Sequence, residues 1–332
     1  MSGASAKSGR PWLAIPVGSF VGKFGLVLAL LVLTVAFSVA LPQSFPTVGN
    51  AVTIITSQSV LLFLALAATM PLISGDFDLS IAQTMTFTAV LLAVLTSHLH
   101  VAIWLAILIA LLVAIAIGVV NGVLIVTLKL NAFVTTLGMM TLLTGLGYAL
   151  TNYSVVFGMP GGVLALSRNQ ILGLPQIVYF GWALLLVMWY LYEFTPYGRH
   201  LRFTGENARR ARLAGVRIGA LRFSAFVAAA AISGLAGVMF AGQTGAVDPT
   251  VGPQYLLPPY AAAFLGTTTI QIGRFNAWGT LVALYVLAVG VTGLELFGAP
   301  TWVAEVFDGA ALIAAIAFAR AVGSRYEPEE VQ

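Results

Sequence analysis

The chain has 332 residues, of which 60% are hydrophobic and only 8% charged, with a formal net charge of +4. A mean hydropathy of +1.00 leaves too little charged surface for a water-soluble domain. The absence of cysteine removes disulfides, thiolate chemistry and most zinc sites, and no soluble module carries the basic, aromatic-interleaved patch that nucleic acid would need.

Apolar runs of about 18 to 22 residues recur along the chain, each long enough to cross roughly 30 Å of hydrocarbon as a helix. The strict alternation of barrel strands is absent. The pattern predicts an all-α integral membrane protein with about ten transmembrane helices. Residues 1–23 form a basic N-terminal segment holding Lys7, Arg10 and Lys23. The first span, 24–41, has Ser38 and Ala40 near its end, a faint cleavage-site pattern, but it is closer to a full span than to a signal-peptide core. The next spans are 51–73, 81–97, 101–126 and 132–150, separated by a proline-rich turn, the polar break Ser74-Gly-Asp-Phe-Asp-Leu-Ser80, the His98-Leu-His100 turn and Lys129. A Gly/Pro-bearing loop, 151–176, leads to the sixth span, 177–194. The basic loop 195–222 separates it from the seventh, 223–242, and spans 258–272, 276–296 and 301–319 complete a membrane domain covering 24–319, followed by a tail, 320–332.

Alternating these ten spans from a cytoplasmic N-terminus places fourteen of the fifteen basic residues on one side and leaves Arg168 on the other. This is the positive-inside distribution, and it predicts that both termini are cytoplasmic. The loop 195–222 carries seven of the twelve arginines against one acid, Glu206. Within it Asn207 can cap a short helix that Gly215 ends, with Ala208, Ala211 and Ala214 at every third position and Arg209, Arg210 and Arg212 projecting elsewhere. Such a segment suits protein docking; the same arginines also serve as a topogenic cluster or as a contact for anionic lipid. Nothing in the chain can bind and hydrolyse a nucleotide. The nearest phosphate-loop pattern, Gly18-Ser-Phe-Val-Gly22-Lys23-Phe24, is one residue short and lacks the hydroxyl after the lysine.

Four stretches in order carry a family resemblance: Ser74-Gly-Asp-Phe-Asp-Leu-Ser80; Asn121-Gly-Val-Leu-Ile-Val with Phe133-Val-Thr-Thr-Leu-Gly-Met-Met140; Thr195-Pro-Tyr-Gly-Arg199 through Thr204-Gly-Glu-Asn207 to Val216; and Ser233-Gly-Leu-Ala-Gly237. Over 51–319 the chain resembles the ribose-type permeases of bacterial ATP-binding-cassette importers. The resemblance implies a multi-pass inner-membrane subunit that forms the pathway for a sugar or sugar-like solute and has no enzymatic activity or cofactor of its own. It implies three kinds of partner: cytoplasmic ATP-binding subunits, a second permease subunit (identical or paralogous) and an extracytoplasmic solute-binding protein. It also makes Glu206, Asn207, Ala208, Arg209, Arg210, Ala211, Arg212, Leu213, Ala214 and Gly215 the coupling helix, with the alanines in a groove of the ATPase. The chain departs from the family pattern at Ser74-Gly75 and the added Asp76, at Leu256-Leu-Pro-Pro-Tyr260, at Gly266-Thr-Thr-Thr269 and at Asp308, which puts the substrate class in question.

Asp76, Asp78 and Ser80 form a structural motif in which the carboxylates are expected to receive backbone N–H groups at the start of the third span, a proton relay being the alternative. Asn121, Thr135 and Thr136, with Thr267, Thr268 and Thr269 in the proline-opened eighth span, are the candidates for lining the pathway. Glu305 and Asp308 share a helical face near the outer end of the last span, as an outer mouth or a headgroup-level polar face. The two histidines of the 98–100 turn have no adjoining carboxylate, so no metal site is expected. A carrier driven by an ion gradient, with Asp76, Asp78, Glu305 or Asp308 holding the ion, is the competing functional class.

Overall fold

The computed structural model describes residues 17–323, with side chains described from 23 to 317. Lys7, Arg10 and Arg325, and the side chain of Arg320, lie outside the described part. Eight helices among the described residues are long and apolar enough to cross a membrane. In order they are α1 (Val17–Ala40), α2 (Val48–Ile73), α3 (Ile81–Ala93, continued by a π-helical turn to His98), α4 (Ile103–Gly122, likewise continued to Thr127), α5 (Ala132–Thr151), α7 (Gln176–Phe194), α10 (Ile218–Thr244) and α12 (Ala277–Leu296). The loop after α5 is partly ordered into a short helix, α6 (Gly161–Arg168), and a two-residue hairpin, β1 (Gln170–Ile171) with β2 (Leu174–Pro175). Helices α8 (Pro196–Glu206) and α9 (Ala208–Leu213) fill the basic loop, and α11 (Leu257–Gly266) and α13 (Trp302–Gly323) complete the set.

The eighth span, expected to be short and opened by two prolines, is the least regular of the set. Read as 258–272, it contains only the ten-residue α11, about 15 Å long and too short to cross alone. The segment still passes from one end of the bundle to the other. Val247 pairs with Val156 in the loop after α5, and at the other end Ile270 donates to the Lys23 carbonyl (2.8 Å) beside the start of α1. Pro258 and Pro259 open α11 and the residues before it, Gly252–Tyr255, form a 3₁₀ turn, so the crossing is half irregular chain and half helix. The alternation of sides is therefore preserved. Gly252 of the 3₁₀ turn is buried, whereas Pro253 and Gln254 are exposed, as irregular backbone at this depth requires either protein or a water-filled cavity beside it. The other late span, α13, is 22 residues long, of which the side chains are described to 317.

Helix α10 is the centre of the bundle and packs on α2, α3, α4 and α6. Lipid supplies no hydrophobic drive between helices, so small residues that admit close backbone contact set these crossings. Ser233, Gly234, Ala236 and Gly237 are all buried on α10. A Cβ on Gly237 would stand 2.4 Å from the Met85 carbonyl oxygen of α3. Helix α3 is buried along almost its whole length and carries Gln83, Thr84, Thr86 and Thr88 inside the protein.

Candidate coupling surface and buried polar hub

The basic loop is two helices held rigidly at one end of the bundle. The Thr195 hydroxyl accepts the Gly198 N–H (3.2 Å) to start α8, with Pro196 at its first position, where a missing N–H costs nothing. Arg202 of α8 pairs with Glu193 at the end of α7, and the Tyr197 and Ser224 hydroxyls bond at 2.9 Å across to α10. Asn207 leaves the helical conformation, and its side chain accepts the Arg210 N–H at 2.8 Å, capping α9. Gly215 then takes φ +79°, with its N–H on the Arg212 carbonyl and the Val216 N–H on that of Ala211, the double bond of a Schellman ending.

The three alanines do not form one outer face. Ala211 is fully buried against the protein itself, whereas Ala208 and Ala214 are exposed. The apolar group that α9 presents is Leu213, 83% exposed and surrounded by the exposed Arg209, Arg210 and Arg212. Glu206 already has a partner in its own chain, Arg274 at 3.2 Å, which ties α8 to the turn after α11.

Beside this loop the break 74–80 gathers buried polar groups. Asp76, expected to receive backbone N–H groups, instead takes the Arg222 guanidinium in a two-point pair, Nε to Oδ2 at 2.6 Å and Nη2 to Oδ1 at 2.7 Å. A full opposite charge in a fork geometry outweighs amide dipoles. Asp78 does receive a local N–H: its Oδ1 accepts both the backbone N–H and the hydroxyl of Ser80. Asn121 of α4 donates to that same Ser80 hydroxyl (2.9 Å), and Thr136 of α5 accepts the Leu79 N–H (3.1 Å). Tyr260 of α11 donates to the Asp78 carbonyl at 2.7 Å and accepts the Asp78 N–H at 3.2 Å. In the sequence Tyr260 stands out only as part of a departure from the family pattern; its one signal is a hydroxyl-bearing residue just after two prolines that open a short apolar helix.

Three of the pathway candidates thus separate from the others. Asn121 and Thr136 meet at the hub with Thr135 half-buried beside them, while Thr267, Thr268 and Thr269 sit at the end of α11. There Thr267 and Thr268 bond back to Phe264 and Leu265, and Thr269 donates to the Lys23 carbonyl. Glu305 is exposed, and Asp308 lines a small cavity of about 180 Å³ with Ser57, Gln58, Thr292 and Glu295 near the opposite end. His98 and His100 are exposed, and no group of three metal-ligating side chains occurs among the described residues.

A family model described as the permease component of branched-chain amino acid transport systems matches residues 50–316. The chain belongs to this permease family. It is an inner-membrane, multi-pass transport subunit, and the matched range runs from α2 into α13, enclosing the hub and the basic loop. The permease is 32% identical over 282 residues, 85% of its own length and 81% of the relative's, to the autoinducer 2 import system permease of Salmonella paratyphi B. It is 28% identical to the ribose import permeases of Bacillus subtilis, covering 89% of this chain and 91% of that one, and of Escherichia coli, covering 87% and 91%. No solved structure matches the permease.

Burial of Asp78 leads to an expected pH response of the permease. Burial pushes its carboxyl from 3.8 up to about 6, against the opposing pull of the two Ser80 bonds. The folded state holds this proton more tightly than the unfolded chain does. The associated stability is therefore full below the unfolded value near 4 and is lost as pH rises through about 6. The difference corresponds to about 3 kcal/mol. Asp78→Asn removes the titration, so the rise in melting temperature of the detergent-solubilised protein between about pH 7 and pH 5 is expected to flatten in the variant. Equal slopes in the two proteins would exclude Asp78 as the source.

Proposed function

We propose that this permease is the membrane subunit of an ATP-driven importer for a sugar or sugar-like solute, and that α9 is where cytoplasmic ATP-binding subunits dock. The observation that carries this is the form of α9: a rigidly capped helix showing one exposed leucine within three exposed arginines, at the end of the bundle that also holds Lys23 and Arg274. An apolar anchor inside a charged collar suits recognition of a partner with a pocket and an acidic rim. The relatives named for ribose and autoinducer 2 import support the substrate class. A second permease subunit and an external solute-binding protein complete the assembly. Of the four acids that a gradient-driven carrier could use, Asp76 is neutralised by Arg222.

The test is reconstitution into vesicles with and without the ATP-binding subunits. Arg210→Glu places an acid in the collar while leaving the Asn207 cap and the buried Ala211 in place. It is expected to lower ATP-dependent uptake about tenfold or more, with protein abundance unchanged. Uptake that continues without any ATP-binding subunit would overturn the proposal in favour of a gradient-driven carrier.

A further inference from the structure

The break 74–80 is gripped by both arms of the basic loop and in turn holds three helices of the membrane region. On one side the last turn of α8 abuts the end of α2, where the Gly205 backbone lies so close that a Cβ would fall 2.0 Å from the Ile73 carbonyl oxygen. On the other, the second turn of α10 holds Asp76 through Arg222, with the Asp76 side chain 10% exposed. Between them Gly75 adopts φ +90°, and residues 76–78 have no regular secondary structure. The Asp76 N–H closes the end of α2 on the Pro71 carbonyl, whereas the Asp78 and Leu79 N–H groups turn to Tyr260 on α11 and Thr136 on α5, and Ser80 accepts from Asn121 on α4.

We propose that this break is a relay, and that Asp76 and Arg222 are positioning residues through which displacement of the loop reaches α4, α5 and the broken span at α11. The inference rests on the ATP-coupled reading above and adds to it the input and the outputs of the coupling. The input is a two-point pair, which transmits rotation as well as translation, because both guanidinium bonds must move together. The outputs are the hydrogen bonds of Asp78 and Leu79, which lie outside any helical ladder and follow directly on Asp76, itself fixed to the end of α2 by its own N–H. An exposed ion pair at a loop edge would carry no such load. This one joins elements 146 residues apart in the chain and lies two residues from the groups that bond Tyr260.

The native absence of cysteine makes a direct test possible. Thr135→Cys puts a single thiol on α5 beside Thr136, and its rate of reaction with N-ethylmaleimide is measured in the assembly with ATP-binding subunits, with no nucleotide and with ATP plus vanadate. The expected result is a nucleotide-dependent change of about fivefold in the Thr135→Cys protein. That change is lost in Asp76→Asn and Arg222→Gln and regained when Asp76→Arg and Arg222→Asp are combined. Arg222→Lys, which keeps the charge and loses the fork, is the milder variant should the neutral ones not accumulate, and it is expected to weaken the response. A full response in the single variants or in Arg222→Lys, or none in the folded exchange variant, would overturn the relay. No response in the Thr135→Cys protein itself, with the ATP-binding subunits bound, would overturn the relay while leaving docking intact. Failure of those subunits to bind at all would sink the ATP-coupled reading as well.

Discussion

Gly237→Leu is expected to abolish accumulation of folded permease in the membrane. At this position α10 crosses α3 backbone to backbone. A Cβ would meet the Met85 carbonyl oxygen at 2.4 Å, the Thr88 Cβ at 2.9 Å and the Ala89 nitrogen at 3.1 Å. Overpacking a core costs about 1–3 kcal/mol when side chains can rearrange. Here the obstacle is the main chain of a helix buried along most of its length, and the cost rises toward the whole stability of a domain, about 5–15 kcal/mol. Gly237→Ala is the graded case, expected to lower the melting temperature while leaving folded protein. Thermal melting of the purified variants measures both, and a leucine variant that melts like the native protein would show that the crossing is looser than described.

The second large effect is expected at the loop. Gly205→Leu forces α8 away from Ile73, since the new Cβ would lie 2.0 Å from the carbonyl oxygen and C···O contacts settle near 3.3 Å. A withdrawal of roughly 1.3 Å follows, and it loosens the Glu206–Arg274 contact carried on the same turn. The membrane helices keep their packing, so the variant is expected to accumulate normally. Its ATP-dependent uptake is expected to fall by about tenfold or more. Paired measurements of abundance and uptake separate this outcome from the collapse expected at Gly237. A parallel loss of both would place Gly205 among the residues that hold the bundle together.

The two sites show what is legible in the residues alone. The caps of the loop were readable because each is a contact within a few residues: Asn207 reaches the Arg210 N–H, and Gly215 takes the left-handed conformation its neighbours require. Ser233-Gly-Leu-Ala-Gly237 carries a family resemblance in the sequence but does not disclose the close contact along α10, because small residues do not name the partner they admit. Of the alanines at 208, 211 and 214, only the middle one fails to face outward, for a related reason. A three-residue spacing shows that side chains lie near one another, and only the packed structure shows that Ala211 faces inward and Leu213 outward.

By itself the sequence determined that the chain lives in lipid as a helical bundle, where its breaks fall and how its basic residues are distributed. Hydropathy and capping depend on a helical turn or on one window of chain, and those are present in the primary structure. The tertiary structure decided how the broken eighth crossing is anchored, that Asp76 meets Arg222 and that Tyr260 closes on Asp78. These are pairings over 146 and 182 residues, made by side chains with no local partner. In a buried site such groups bond to whichever complement the packed helices bring within reach, so their partners are a property of the fold.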